Sequence, residues 1–156
     1  MKKIIPDMDF QEEANECGLS CIAMLAQTQN IQCSLPVLRE IFPASDHGTS
    51  LSDLSVILQQ VGIATAPVLF DHAELHALPF PSILHYGASH YVLLAWRKGD
   101  YVCVMNPAIG QQWLPFSALK KEISGYALIL EESPGAIAGP DPVIAGAQQE
   151  MPRAMS

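Results

Sequence analysis

A chain of 156 residues with 49% hydrophobic and 15% charged side chains has the size and composition of one folded domain with a sizeable core, which leaves little room for two domains and excludes a wholly disordered chain. A net charge of −8, without a Lys/Arg cluster, argues against a surface that tracks nucleic-acid phosphates. The longest apolar runs, such as Tyr91 to Trp96, are strand-sized rather than membrane-sized, and the N-terminal Met-Lys-Lys-Ile-Ile-Pro-Asp lacks the apolar stretch of a signal peptide. The expected setting is therefore cytosolic. Cysteines at 17, 21, 33 and 103 form no Cys-x-x-Cys pair, and reduced thiols are the default expectation.

In chain order, Ile4 and Ile5 read as a short strand or apolar anchor ahead of a loop from Pro6 to Glu16. A first helix is expected from about Glu16 to Gln27, with Cys21, Ile22, Leu25 and Ala26 on its buried faces. Ser34 caps a second helix that carries Pro36 in its first turn, where proline is tolerated, and ends at Pro43. After a loop of turn formers around Gly48, Ser50 opens a third helix with apolar Leu51, Leu54, Leu58 and Val61, stopped by Gly62.

Beyond residue 62 the period changes. Ile63 to Phe70 reads as a strand and Asp71 to Leu78 as a short capped helix. Pro81 to Tyr86, Ser89 to Trp96, Tyr101 to Met105 and Gln111 to Leu114 are strand-length runs separated by turn signals, an expected antiparallel meander. A last short helix is expected over Phe116 to Ile123 and a final strand over Tyr126 to Leu130. Helices first and a sheet afterwards is an α+β pattern, with the N-terminal helices packed on a C-terminal antiparallel sheet. From Ser133 onward Pro, Gly and Ala dominate, so the chain divides into a domain over 1–132 and a linker or tail over 133–156. It holds no internal repeat, and the phosphate-cradling Gly-x-x-x-x-Gly-Lys-Ser/Thr loop is missing.

The chemistry centres on Cys17, at the expected first turn of the first helix. Unpaired N–H groups and the positive end of the helix dipole favour a thiolate there, the form of cysteine that attacks carbonyls. Gln11 is close enough in sequence to fold back and donate beside the sulfur, forming an oxyanion hole with the cysteine N–H. His90 and Asn106 lie on expected neighbouring strands joined by a tight turn, which puts a base and an orienting amide within reach of one another. Asp7, Asp9, Glu12, Glu13 and Glu16 crowd the approach to Cys17 with no base among them. Most of these read as a solvated acidic loop, although such a crowd also disfavours a neighbouring thiolate.

These residues match a known family. Gln11 with Cys17-Gly18, His47-Gly-Thr-Ser-Leu, Ile83-Leu-His85-Tyr and Ser89-His90-Tyr-Val resemble the motifs of the C39 peptidases, the papain-like domains at the N-terminus of bacteriocin-exporting ABC transporters. The resemblance covers the chain up to about Glu132. It implies a papain-like fold and a cysteine endopeptidase that cuts leader peptides after Gly-Gly or Gly-Ala. Cys17, His90, Gln11 and the position of Asn106 are carried over as the catalytic set, with Asn-Pro standing where the family usually has Asp-Pro. The implied partners are the leader of a double-glycine precursor and the transmembrane and ATPase domains of an exporter, at the cytoplasmic face of a bacterial inner membrane; no cofactor is implied. Asn106 and the acidic run leave open an alternative, a docking domain that binds export substrates without cutting them. A third reading is another papain-like thiol enzyme, an amidase or transglutaminase.

The remaining candidates read as structural. Cys21 lies one turn after Cys17 on a buried face, Cys33 and Cys103 read as small apolar residues, and His85 as a packed strand histidine. His47 is a loop residue, and His72 and His76 have the i, i+4 spacing of a zinc pair but no convincing third ligand.

Overall fold

The first helix, α1 (Cys17–Thr28), is buried at every residue except Gln27, so it runs through the interior rather than along the surface. The computed structural model describes residues 5–42, 49–87 and 90–131. Ile4, residues 43–48 with His47 and Gly48, Ser89, and the tail expected over 133–156 lie outside the described residues. The helix stops where Asn30 takes a left-handed backbone, φ 61°, and the Ile31 N–H turns back to the Ala26 carbonyl at 2.9 Å; asparagine is one of the few side chains that tolerates this end.

Two further helices, α2 (Leu35–Ile41) and α3 (Leu51–Gln60), pack against α1. α3 opens on a capping box in which Asp53 N–H donates to Ser50 Oγ at 3.1 Å and Ser50 N–H to Asp53 Oδ2 at 3.3 Å, an arrangement that stabilises a helix start by about 1 kcal/mol. Its approach to α1 is close. A Cβ on Gly18 would stand 2.8 Å from Leu54 Cδ2, and Leu54 is fully buried.

Among the described residues the sheet has six strands, β1 (Thr65–Leu69), β2 (Ser82–Tyr86), β3 (His90–Lys98), β4 (Tyr101–Asn106), β5 (Gly110–Pro115) and β6 (Ile123–Leu130). Their order is β1-β6-β2-β3-β4-β5, and every neighbouring pair is antiparallel. The meander expected from sequence holds from β2 to β5, but β6 returns across the sheet and inserts between β1 and β2. Pro67, which has no N–H to give a ladder, sits on the edge strand β1. Both faces are covered: Tyr91, Leu93, Cys103 and Met105 join the core beneath the helices, while Val92, Leu94, Val102 and Val104 join a second core with Phe116 and Leu119. Two covered faces explain why β3 and β4 read as continuous apolar runs rather than alternating ones.

Two expected helices are corrected. The one over Phe116 to Ile123 is a single turn, α4 (Phe116–Leu119), because Ile123 is buried in the second core and pairs with Tyr86 as the first residue of β6. The one over Asp71 to Leu78 is a 3-10 turn, His72–Ala77, too tight to bring residues four apart onto one face.

The Gly18 contact yields a prediction. Gly18→Ala forces a methyl against Leu54 and should destabilise the fold by about 1–3 kcal/mol. Adding Leu54→Ala should recover part of that loss, so urea unfolding of the single and double variants should give a clearly non-additive cycle.

Candidate active site

Cys17 is the first residue of α1, with Glu16 at the N-cap position, and only 5% of it is exposed. The histidine comes from the head of β3 and the asparagine from the end of β4. Leu93 pairs with Met105 across these strands, so Val92 lies opposite Asn106, and His90 is its diagonal neighbour on the same face. His90 Nε2 stands 2.9 Å from Asn106 Oδ1.

That oxygen also accepts the Ala108 backbone N–H at 3.0 Å. A backbone donor cannot face an NH2 group, so the amide orientation is set: Oδ1 accepts, and His90 Nε2 must donate. The neutral ring then keeps its lone pair on Nδ1, the nitrogen left for the side-chain hydrogen bond with Cys17. The imidazole pKa is raised above its ordinary 6.5, first by the bond to Cys17, against the opposing effect of burial, and further by the Asn106 bond. A thiol, a base aimed at it and an orienting amide are the working parts of nucleophilic acyl transfer.

Gln11 is tied to the same corner, since its N–H donates to the Pro107 carbonyl at 3.1 Å, one residue past Asn106. Its Nε2 donates to the Glu13 carbonyl at 3.2 Å, and its Oε1 is buried without a partner among the described residues. Glu12 and Glu13 are exposed, as a solvated loop requires. Glu16 is not: it is 3% exposed and bound by Arg39, whose Nε donates to Oε2 and whose Nη2 donates to Oε1 at 3.1 Å. The acidic run thus has a base, supplied from α2, and the Arg39 hydrogen bonds hold the Glu16 pKa below the usual carboxylate value. Sequence reasoning missed this pair, although Arg39 is the only Lys or Arg between Lys3 and Arg97.

The other residues are structural. Cys21 is fully buried, and desolvation pushes its thiol well up; burial also raises Cys33. Cys103 lies in the core beneath the helices. His85 Nδ1 lies 2.8 Å from Ser124 Oγ, its ring meets Tyr91 edge-on, and burial lowers its pKa. Tyr91 is packed under the cysteine end of α1, its phenol pushed up to about 12 by burial with Cys17, Cys21 and Asp53 adding to the shift. His76 lies against the Phe116 ring, and the 3-10 turn separates it from His72.

The model of the peptidase C39 family matches residues 7–135. A probable microcin-H47 secretion/processing ATP-binding protein of Escherichia coli is 34% identical over 118 residues, 76% of this chain and 17% of the relative. A lactococcin-G-processing and transport ATP-binding protein of Lactococcus lactis is 30% identical over 135 residues, 82% of this chain and 18% of the relative. The chain therefore spans under a fifth of the length of these relatives. Among solved structures, a double glycine motif protease from an AMS/PCAT transporter, in complex with a leader peptide, superposes with a TM-score of 0.76 at 24% identity, covering 85% of this chain and 94% of that one. The peptidase domain of Streptococcus ComA gives 0.69 at 20% identity, covering 85% and 100%. The fold is that of these papain-like peptidase domains.

Because the Cys17 bond is the leading cause of the raised His90 pKa, Cys17→Ala should lower it. In NMR titrations the His90 ring protons of the variant should move at lower pH than in the wild type. The stability that His90 contributes is fully present below pH 6.5 and lost as pH rises through the raised value, so that window should close downward in the variant.

Proposed function

The chain belongs to the peptidase C39 family, and on that footing we propose that it is a cysteine endopeptidase that removes a double-glycine leader from an exported peptide precursor. The observation that carries the proposal is the His90 ring, fixed through Nε2 on Asn106 at 2.9 Å, with Cys17 the first cause of its raised pKa. His90 Nδ1 takes the thiol proton as Cys17 Sγ attacks the carbonyl carbon of the scissile bond. The oxyanion that forms is held by the Cys17 N–H and the Gln11 side-chain amide. The imidazolium returns its proton to the leaving amine, the C–N bond breaks, and the leader remains as a thioester. Water, deprotonated by His90, then attacks the thioester, and the leader leaves with a free carboxylate as the thiol regains its proton.

The relatives are named for processing and transport of bacteriocins, and the superposed protease holds a leader peptide, which supports a leader as substrate. By the same likeness we place the unit, residues 1–132, beside the transmembrane and ATPase domains of an exporter at the cytoplasmic face of the membrane. Among the described residues no helix is long and apolar enough to cross a membrane. Neither feature that favours a docking domain stands against catalysis: Asn106 is the acceptor His90 requires, and Glu16 carries its own counter-ion.

Cys17→Ala should leave a double-glycine precursor intact when the products are weighed by mass spectrometry; undiminished cleavage would rule the proposal out. Gln11→Ala should lower kcat by about 10²–10³-fold with little change in KM, the effect of losing one oxyanion donor. Asn106→Asp adds a negative charge beside the imidazole and favours its protonated form. Because His90 must be neutral to take the thiol proton, the acidic limb of the variant's pH–rate profile should move upward while cleavage persists.

A further inference from the structure

Glu16 is the residue before the thiol, it is buried, and both of its oxygens are occupied. Oε2 accepts from Arg39 Nε; Oε1 accepts from Arg39 Nη2 at 3.1 Å, from the Glu12 N–H at 3.0 Å and from the Glu13 N–H at 3.1 Å. The two backbone N–H groups belong to the residues that follow Gln11, and the Glu13 carbonyl is the acceptor for Gln11 Nε2. One carboxylate is therefore joined through its own backbone to Cys17 and through hydrogen bonds to the loop that carries the oxyanion donor. We infer that Glu16 and Arg39 are positioning residues of the thiol site, setting the place of the Gln11 amide relative to Cys17 while Arg39 cancels the carboxylate charge on the residue that precedes the thiol.

The physical grounds are a matter of number and kind. A buried carboxylate needs several donors and a counter-charge, and this one has both, in a bidentate Arg contact of the strong, directional type. Arg39 also approaches Glu12 Oε1 at 3.4 Å, but Glu12 is exposed and adds little. Among the described residues the other groups that act on or are acted on by Cys17 are His90 and Tyr91 from β3 and Cys21 from α1; none is cationic in the resting neutral state, and Arg39 is the counter-charge bound to Glu16. The inference rests on the peptidase reading for its kinetic part only, because the reactivity of Cys17 can be measured without a peptide substrate.

The test uses Arg39→Met, Arg39→Lys, Glu16→Gln and the double variant Glu16→Gln/Arg39→Met, which leaves no buried charge unpaired and so guards against simple misfolding. Two readouts are taken on the full chain: the rate of Cys17 alkylation by iodoacetamide at pH 7, mapped to that residue by tandem mass spectrometry, and kcat and KM on a double-glycine precursor. Arg39→Met should slow alkylation and lower kcat by about 10–100-fold, as misplacement of a catalytic group does, with KM nearly unchanged. Arg39→Lys should restore the alkylation rate, because the charge returns, but not kcat, because the bidentate fork does not. Glu16→Gln and the double variant should alkylate at least as fast as wild type and remain slow in turnover. Wild-type kcat in the folded double variant, or a wild-type alkylation rate and kcat in Arg39→Met, would overturn the inference. If the wild-type chain cleaves no such precursor while the alkylation pattern appears as stated, the substrate reading fails and the Arg39 charge effect stands.

Discussion

The hydrogen bond between His90 and Asn106 is the constraint on which the site depends, because it selects which imidazole nitrogen meets the sulfur. It exists only if β3 and β4 are neighbours in one particular register, and that register is set by packing rather than by the site. Tyr91, Leu93, Cys103 and Met105 point into the core under the helices and Val92, Leu94, Val102 and Val104 into the core on the other face. A slip of one residue would exchange the two sets and reverse every side chain along the strand. The small volume of chemistry is thus held in place by two large apolar layers.

The same economy governs α1. A helix buried nearly all round has few ways to shift, and its first residue is the proposed nucleophile, so the rigidity of the core is passed directly to the thiol. Gly18 next to it permits the close approach of α3 through Leu54. The N-terminal loop needs separate anchoring, since its described residues hold no secondary structure beyond one 3-10 turn, Ala14–Glu16. Among the described residues it receives three ties: the Gln11–Pro107 backbone bond, the paired bonds between Asp7 and Gln27, and the Arg39 contact from α2 to the Glu16 carboxylate. Each connects the loop to a different element, which restricts translation as well as rotation.

Much of this is legible in the residues. The α+β division and the helix and strand runs follow from a change of hydrophobic period near Gly62, and Cys17, His90 and Asn106 are marked by residue type, chain order and the turn at Gly99. What sequence does not supply is contact between segments with no local signal. β6 inserts between β1 and β2 because Ala127 and Leu128 are small and apolar enough to be buried on opposite faces, yet the same residues would suit an edge. The turn at His72 tightens to 3-10 and α4 ends early because tertiary burial of Leu75 and Ile123 outweighs helical spacing. Arg39 is in plain view as a lone base in an acidic stretch, but its partner is 23 residues away, beyond the reach of any pattern of spacing.

Asparagine rather than a carboxylate at position 106 makes sense once the whole proposed cycle is followed. The side chain is 4% exposed, where a negative charge with one backbone donor would be stable only while His90 is protonated. His90 must be neutral twice, before it takes the thiol proton and again while the thioester awaits water. In the acyl state the sulfur carries no charge, so an imidazolium facing a neutral amide has lost its counter-ion, and the ring is driven toward the basic form that hydrolysis needs. The neutral acceptor fixes the ring in both protonation states without favouring either by a full charge, and leaves the thiolate to supply the negative charge that stabilises the imidazolium at the moment of attack.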